Sequence, residues 1–382
     1  MSLPLRALTE TERLAWLRLF RSENVGPITF RQLLRRFGSA EAALEALPDL
    51  SRRGGRARPV RICPADTAER ELAELTRLKA RLLALCEPDY PEALRAVDDA
   101  PPLIAMRGRS ELLQRPAVAI VGARNASANG RTLARRLGGE LAEAGYLVVS
   151  GFARGIDTAA HEGALTQATL AVLAGGLDTI YPPQNAALFD RLTREGALLS
   201  EMPPGSEPQG RHFPRRNRII AGLSLGIVVV EAARRSGSLH TARLAADYGR
   251  EVMAVPGSPL DPRAQGCNGL LRQGATLIES AAHVLEALAG STPAIAPAFP
   301  ETAVTEAAAT RVEIVGATGP GSEEQPQATD KITELLSPTP ISVDELIRQC
   351  QLSAASVGTL VLELELAGRL ERHPGNRVAL IA

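Results

Sequence analysis

Seven short apolar runs alternate with helix-length segments between Ala117 and Leu288. The runs are 117–122, 146–150, 170–173, 197–201, 225–231, 251–255 and 275–279. Short uninterrupted apolar runs are typical of strands buried on both faces, and helix-length spacers supply the crossovers that parallel strands need. Aromatic residues make up only 3% of the chain, so aliphatic side chains must fill the core. We therefore predict an α/β fold with a Rossmann-like, doubly wound, mostly parallel sheet.

The chain on either side of this region shows other patterns. Residues 10–50 have apolar side chains at helical spacing, and 25–39 resemble a helix-hairpin-helix, although the residues themselves favour simple packing of two helices around a Gly-Pro turn. A charged helical stretch is expected to end near Leu85. The C-terminal residues indicate three helices, through Leu335, at 343–350 and at 353–367, followed by a hairpin at 370–381. This order is typical of a winged helix.

Four domains follow from these patterns. We predict an N-terminal helical domain of the SAM or helix-hairpin-helix type at 1–85 and a Rossmann-like domain with its lead-in segment at 86–289. We predict a Pro- and Ala-rich linker at 290–327 and a winged-helix-like domain at 328–382. The linker has few large apolar residues and cannot bury enough surface to fold alone.

The bulk composition limits the kinds of partner and site. Basic and acidic residues number 43 each, so the net charge is zero and a polyanion would have to bind a local basic patch. The four cysteines, Cys63, Cys86, Cys267 and Cys350, show no CxxC spacing, which argues against a metal site or a disulfide framework. No apolar run approaches the roughly 18 residues of a membrane helix, and no signal-peptide pattern follows Met1. We expect a cytoplasmic protein without metal or membrane.

The first glycine turn has the outline of a phosphate site. The segment VAIVGARNASANG places Gly122, Arg124 and Ser127 between a strand and a helix. Backbone amides at a helix start attract anions, and glycine lets a bound group approach the backbone. The GxGxxG pattern and the acidic ribose ligand of dinucleotide folds are both missing, so we predict no cofactor.

Further turns repeat this chemistry at later strand ends. The segment SGFARGIDTAAH offers Gly151, Arg154 and Gly155, with Asp157 predicted to cap the following helix and His161 predicted to be structural. The remaining candidates are Gly175 and Gly176, then Phe213, Arg216, Asn217 and Arg218, and finally Arg235, Ser236, Gly237 and Ser238. An arginine-rich run is often only a solvated surface, but arginines beside an aromatic ring suit a single strand bound without sequence preference. The carboxyl ends of parallel strands would bring these loops to one edge of the sheet.

Seven ordered segments resemble the DNA-processing A family, also called DprA or Smf. They are VGARNASANG, SGFARGIDTAAHEGAL, LAGGLDTIYPPQN, LLSEMPPG, FPRRNRIIAGLS, VVVEAARRSGSLHTA and EVMAVPGSPLDPRAQGCNGLLRQGA. The resemblance implies that single-stranded DNA binds in a basic pocket, that a homodimer forms through the Rossmann-like domain, and that the protein loads RecA recombinase during natural transformation and recombination. It also implies that Arg124 contacts a phosphate and that Phe213, Arg216 and Arg218 belong to the pocket. Arg235 stands where relatives often have lysine.

Two enzyme classes are alternatives to a binding protein. A phosphoribohydrolase of the lysine-decarboxylase-like class would carry PGGxGTxxE, where this chain has EAARRSGSLHTA. A nicotinamide-dependent oxidoreductase would need the glycines and carboxylate already noted as missing. We predict no catalytic residues and no enzymatic activity.

The charge of the C-terminal domain argues against duplex binding. Residues 329–382 hold five basic and seven acidic side chains, and the third helix carries Glu363 and Glu365 but no cation. Such a helix is poorly suited to a groove lined with phosphates. Our hypothesis is that this domain serves protein contacts or regulation.

Overall fold

The computed structural model describes residues 5–56, 58–290, 332–350, 352–373 and 375–381. They form two compact units, one from the described residues of Met1–Leu17 and Pro64–Thr292, the other from those of Arg18–Cys63 and Pro293–Ala382. Apart from Gly290, the predicted linker at 290–327 lies outside the described residues, and the four domain boundaries stay predictions. In the described ranges, no helix is both long and apolar enough to cross a membrane.

The first unit is built on a nine-stranded sheet. Its strands are β1 (Ala80–Ala84), β2 (Leu103–Gly108), β3 (Ala117–Val121), β4 (Leu147–Ser150), β5 (Thr169–Val172), β6 (Ala197–Ser200), β7 (Gly226–Val229), β8 (Glu251–Ala254) and β9 (Thr276–Leu277). Their order is β1-β2-β6-β5-β4-β3-β7-β8-β9. Strands β3 to β9 pair in parallel with one another, and β1 and β2 add an antiparallel edge. The prediction of a doubly wound, mostly parallel sheet is confirmed.

Helices connect these strands and form much of the second unit. They are α1 (Glu10–Arg21), α2 (Pro27–Phe37), α3 (Ala40–Arg53), α4 (Ala65–Arg77), α5 (Glu92–Arg95), α6 (Ala128–Glu143), α7 (Ile156–Ala164), α8 (Ala186–Glu195), α9 (His212–Leu223), α10 (Gly237–Asp247), α11 (Gln265–Arg272), α12 (Ala281–Gly290), α13 (Val343–Cys350) and α14 (Ala354–Leu366). Two short 3-10 helices, Ser110–Gln114 and Pro183–Asn185, complete the first unit.

The strand order reverses between β3 and β7, which are neighbours in the sheet. From β3 the chain winds outward through β4, β5 and β6, and after β6 it returns to the other side of β3 and continues through β7, β8 and β9. Right-handed crossovers then place α6 to α8 on one face and α10 on the other. Every residue of β3, β4 and β5 is buried, which explains their unbroken apolar runs. All loops that follow the parallel strands meet at one edge.

The antiparallel edge was not predicted. The helix expected to run to Leu85 ends at Arg77, and β1 begins three residues later. Lys79 makes the break with a left-handed backbone (φ 54°), a conformation that its residue type does not signal. The sheet is therefore wider than the seven apolar runs indicated.

The second unit combines α2 and α3 with the C-terminal elements. Strands β10 (Ile341–Ser342), β11 (Leu370–His373) and β12 (Arg377–Leu380) form an antiparallel sheet in the order β10-β12-β11. Ser39 caps α3 by accepting a hydrogen bond from the Ala42 amide at 3.2 Å, and Ser353 caps α14 in the same way. The helices at 332–335, α13 and α14, followed by a hairpin, match the predicted order.

Candidate nucleic-acid interface

A pocket of about 230 Å³ opens at the carboxyl ends of β3, β4 and β5. It is lined by Arg124, Gly151, Phe152, Ala153, Arg154, Leu173, Ala174, Gly175, Thr179, Tyr181, Pro182, Pro183, Gln184, Pro208, Phe213 and Arg216. Three of these residues are arginines and none is acidic, so the pocket has a positive field. Of the predicted site residues it brings together Arg124, Gly151, Arg154, Gly175, Phe213 and Arg216.

Cations and aromatic rings lie side by side at this pocket. The Arg124 guanidinium carbon lies 5.0 Å from the centre of the Phe213 ring, within the range of a cation–π contact. The Tyr181 ring, 46% exposed, has its centre 6.0 Å from that of Phe213. Neither Arg124 nor Arg154 forms an ion pair with a carboxylate in the part of the chain that the structure describes, and both are exposed. Guanidinium groups available to phosphates thus stand beside rings available to bases.

Tyr181 is the residue that the sequence analysis missed. It lies in the segment LAGGLDTIYPPQN, of which only Gly175 and Gly176 were predicted as site residues. An aromatic residue directly before two prolines at a strand end was the available signal, because the prolines restrict the backbone and hold the ring at the surface.

Arg216 lies against the backbone of Gly151. A Cβ atom at position 151 would lie 1.5 Å from Arg216 Nη1, so only glycine leaves room for this guanidinium. Nη1 donates to the carbonyl of Val172 at 3.3 Å, and the side chain is 6% exposed. Burial is the largest influence and lowers the pKa of Arg216 to about 10, so the group stays positive at neutral pH.

Most of the predicted glycines allow loops to pack on one another. A Cβ at Gly155, where φ is 82°, would lie 2.3 Å from the carbonyl oxygen of Ala123, in the loop that carries Arg124. A Cβ at Gly122 would lie 2.6 Å from Ile156, and one at Gly176 would lie 2.8 Å from the carbonyl oxygen of Pro203. These glycines therefore position the loop backbones, and none of the three lines the pocket.

The amino end of α6, where a phosphate was expected, holds a carboxylate of the protein itself. Glu231, which follows β7, accepts hydrogen bonds from the Ser127 amide at 2.9 Å and from the Ser127 hydroxyl. The Ser127 hydroxyl in turn accepts from the Gly130 amide at 2.9 Å. Glu231 has a left-handed backbone (φ 92°), which is strained for a residue with a side chain. This anion satisfies the donors at the point where the strand order reverses.

The adjoining cavity is also unsuited to phosphate. It has a volume of about 200 Å³, and its lining contains Glu231 and Asp261 but no cation. The structure thus separates the basic pocket from the position between β3 and β7 where doubly wound folds usually bind ligands.

Arg218 lies away from the pocket. It is 9% exposed, it pairs with Glu201, and it also donates to the carbonyl of Asp99. An arginine with a buried carboxylate partner has no free guanidinium to offer a phosphate. Asn217, half-buried on the same helix, does not line the pocket either.

The last predicted group lies on the loop after β7 and at the start of α10. Arg235 is exposed, and Gly237 has open space around it. The hydroxyls of Ser236 and Ser238 bond to each other at 2.7 Å, and Ser236 caps α10. These residues share the carboxyl-end edge of the sheet but do not line the pocket.

Asp157 and His161 have structural partners. The prediction that Asp157 caps α7 is wrong, because the cap position is Gly155 and the Asp157 carboxylate accepts from the amides of Gly151 and Ala153, each at 3.2 Å. His161 is fully buried, and its Nδ1 bonds the Thr169 hydroxyl at 2.7 Å. Burial lowers the pKa of His161 to about 3, so the ring is neutral. No set of three or more His, Cys, Asp or Glu side chains within the described ranges could hold a metal ion.

Three family models match successive parts of the chain. Residues 81–289 match DNA recombination-mediator protein A, which covers more than half of the sequence. Residues 10–73 match the DprA-like N-terminal HHH domain, and 316–376 match the DprA winged helix domain. The chain belongs to the DprA family. The predicted helix-hairpin-helix character of the N-terminal part and the winged helix of the C-terminal part are confirmed.

Individual DprA relatives agree with this assignment along the whole chain. Protein Smf of Synechocystis is 32% identical over 395 residues, which covers 97% of this chain and 99% of that protein. DNA processing protein A from Streptococcus pneumoniae has a solved structure with 34% identity and a TM-score of 0.61, covering 74% of this chain and 98% of that one. The Helicobacter pylori protein, whose structure gives insight into its single-stranded DNA binding mode, has 30% identity and a TM-score of 0.51 and covers 56% of this chain and 96% of that one. The DprA proteins are DNA-processing proteins of recombination, so the resemblance seen in the sequence is confirmed.

Proposed function

We propose that this protein binds single-stranded DNA in the pocket at the ends of β3, β4 and β5, without reading its sequence. The observation that carries the proposal is Arg124 stacked on Phe213 beside the exposed Tyr181, in a pocket with three arginines and no carboxylate. Phosphates would bind the guanidinium groups, and unpaired bases would stack on the rings. The single-stranded DNA binding mode described for the H. pylori relative supports this assignment.

The surface we propose is narrower than the set of residues predicted from the sequence. It consists of Arg124, Arg154, Phe213 and Tyr181, together with Arg216, which lies against the backbone of Gly151. Ser127 and Arg218 are left out, because each is engaged by a carboxylate of the protein. Arg235, with Ser236, Gly237 and Ser238, is proposed as a second contact for the strand where it leaves the pocket along the same edge.

We further propose that the protein acts in the cytoplasm as a homodimer formed through the Rossmann-like domain, and that it loads RecA recombinase onto single strands during natural transformation. Membership in a family of recombination mediators supports this role. We propose binding and no catalysis at the pocket, because its lining holds no carboxylate, histidine or cysteine to act as nucleophile or base.

The test is a titration of fluorescent oligonucleotides with the purified protein over a range of salt concentrations. We expect unstructured single strands of different sequence to bind alike and better than duplex, with affinity falling steeply as salt rises. Arg124→Glu should weaken binding to every single strand. Arg115→Glu is the matched control, because Arg115 is exposed and precedes β3, at the opposite end of that strand.

If Arg124→Glu folds and binds as tightly as the wild type, or if Arg115→Glu weakens binding equally, the proposed pocket is wrong. Sedimentation of the protein tests the dimer. The loading role is tested separately by the rate at which RecA filaments form on single strands coated with a single-strand-binding protein, measured with and without this DprA family member.

A further inference from the structure

The third helix of the winged helix, α14, is buried on two faces. Val357, Leu360, Val361 and Leu364 contribute to the core of the C-terminal domain. Leu362, Glu363 and Leu366 lie outside that core and are still at most 2% exposed. A helix that enters a DNA groove presents a polar, exposed outer face to the DNA. The second face of α14 is buried instead, so another part of the chain must cover it.

The covering element comes from the other end of the chain. Helix α14 packs against α3 and also contacts α2, within the second compact unit. Hydrogen bonds join Asn24 Nδ2 to the Leu366 carbonyl at 3.1 Å, Arg372 Nη2 to Gln32 Oε1 at 3.2 Å, Arg36 Nη1 to Thr359 Oγ1 at 3.4 Å and Arg369 Nη1 to the Gly54 carbonyl at 3.5 Å. The contact is therefore specific as well as apolar.

Three arginines in the described part of the C-terminal domain have protein partners. Arg369 and Arg372 take part in the contact just described, and Arg372 also pairs with Glu365 at 2.9 Å. Arg348 pairs with Glu345 at 2.8 Å. A duplex would find few free positive groups on this part of the described structure, and phosphate contacts supply most of the affinity in DNA binding.

The two backbones come very close at Gly54. A Cβ atom there would lie 2.0 Å from the carbonyl oxygen of Glu363 and 2.8 Å from the Cβ of Ala367. The backbone of Gly54 is ordinary, with φ −69° and ψ 1°, so an alanine would fit the N-terminal helices by themselves. Only the approach of α14 requires glycine at this position.

We propose that the winged-helix domain is a docking module for the chain's own N-terminal helices and that α14 does not enter a duplex groove. Its partner surface is formed by α2, α3 and the turn at Gly54. This inference concerns the second unit and does not depend on the DNA-binding role of the pocket in the first.

The experiment uses the full chain with cysteines introduced by Arg36→Cys and Thr359→Cys. Arg36 is exposed and Thr359 is partly exposed, whereas the four native cysteines are buried. In the chain that keeps Gly54, a short bismaleimide should join the two introduced cysteines, as detected by mass spectrometry of the digested protein. Gly54→Ala should slow this cross-link roughly tenfold or more, since overpacking at a contact is strongly unfavourable. Gly358→Ala is the control, because it lies on α14 itself and a Cβ there meets no atom within 4 Å.

If the double-cysteine chain that keeps Gly54 does not form the cross-link, the proposal is overturned, whatever the glycine variants do. So does a Gly54→Ala chain that cross-links as fast as Gly358→Ala while its circular dichroism is unchanged. Titration with a short duplex completes the test: we expect Gly54→Ala to bind it within about twofold of the wild type, because α14 has no cation to offer once it is released. A gain of about tenfold or more would show a masked DNA-reading helix and would overturn the proposal as well.

Discussion

Replacing Gly151 by alanine tests how the protein holds Arg216 in the pocket. The new Cβ would lie 1.5 Å from Nη1 and 2.5 Å from Cζ of that guanidinium, so the whole end of the side chain must move. The move breaks its hydrogen bond to the Val172 carbonyl. Overpacking a buried position lowers the free energy of unfolding by about 1–3 kcal/mol, and a lost hydrogen bond from a charged group by about 1.5–3 kcal/mol. We expect a loss of about 3 kcal/mol for Gly151→Ala.

Thermal unfolding and a double-mutant cycle measure this effect. For a unit of this size, about 3 kcal/mol corresponds to a fall of roughly 6–12 °C in Tm. In an Arg216→Met background the guanidinium is absent and the 2.8 Å approach of the new Cβ to Asp157 Oδ2 remains. Gly151→Ala should then lose about 1 kcal/mol, and the coupling between the two positions should be about 2 kcal/mol. Gly269→Ala is the matched control, since a Cβ at that helical position meets no atom within 4 Å. The reasoning is refuted if Gly151→Ala is equally destabilising in both backgrounds.

Three further results are expected. Arg124→Gln should reduce the slope of log affinity for single-stranded DNA against log salt by about 0.7, because one phosphate contact is lost. Arg124→Lys should keep the slope of the wild type and lose only the contact with Phe213. Equal slopes for the wild type and both variants would contradict this prediction. Glu231→Ala should lower the free energy of unfolding by about 1–2 kcal/mol in urea, because the donors at Ser127 lose their acceptor, and Glu231→Gln should lose less because its amide oxygen still accepts; equal losses would count against the bond. Burial raises the pKa of Glu363 above its ordinary value of 4.5. The folded state therefore holds this proton more tightly than the unfolded state, and the stability that results is fully present below pH 4.5. It is lost as the pH rises through the raised pKa of the folded state. Glu363→Gln should flatten this part of the urea midpoint profile, and an unchanged profile would assign the pH dependence to another group.

The sequence predicted the parallel sheet well because buried strands have a distinctive pattern. The runs at 117–122 and 170–173 have no polar interruption, and the structure buries every residue of β3 and β5. Strand β1 was missed because its apolar residues continue the helical spacing of α4. The left-handed residue that separates the two elements is Lys79, and neither glycine nor proline marks the break.

The candidate site was predicted in part. The meeting of Arg124 and Phe213 follows from the parallel topology, which brings successive loops to one edge. Arg216 and Arg218 were both predicted to belong to the pocket. They are two residues apart on a helix and face different directions, but the sequence does not show that a carboxylate from another loop, Glu201, engages Arg218. The sequence also cannot distinguish a glycine that admits a phosphate from one that admits a neighbouring backbone.

The carboxylate of Glu231 at the start of α6 shows why a glycine turn is ambiguous. The amides of such a turn need an acceptor, and the acceptor can come from the same chain. In this protein it comes from a residue 104 positions away in sequence. The basic pocket lies instead at the ends of β3, β4 and β5.

The joining of 18–63 and 332–381 in one compact unit affects how deletion mapping should be interpreted. A truncation after residue 290 removes α14 and uncovers the surfaces of α2 and α3 that it protects, and a truncation before residue 64 uncovers the second face of α14. Newly exposed apolar surface lowers solubility and promotes aggregation. A phenotype of either truncation therefore reports on both ends of the protein, and point substitutions at Gly54 separate the two contributions.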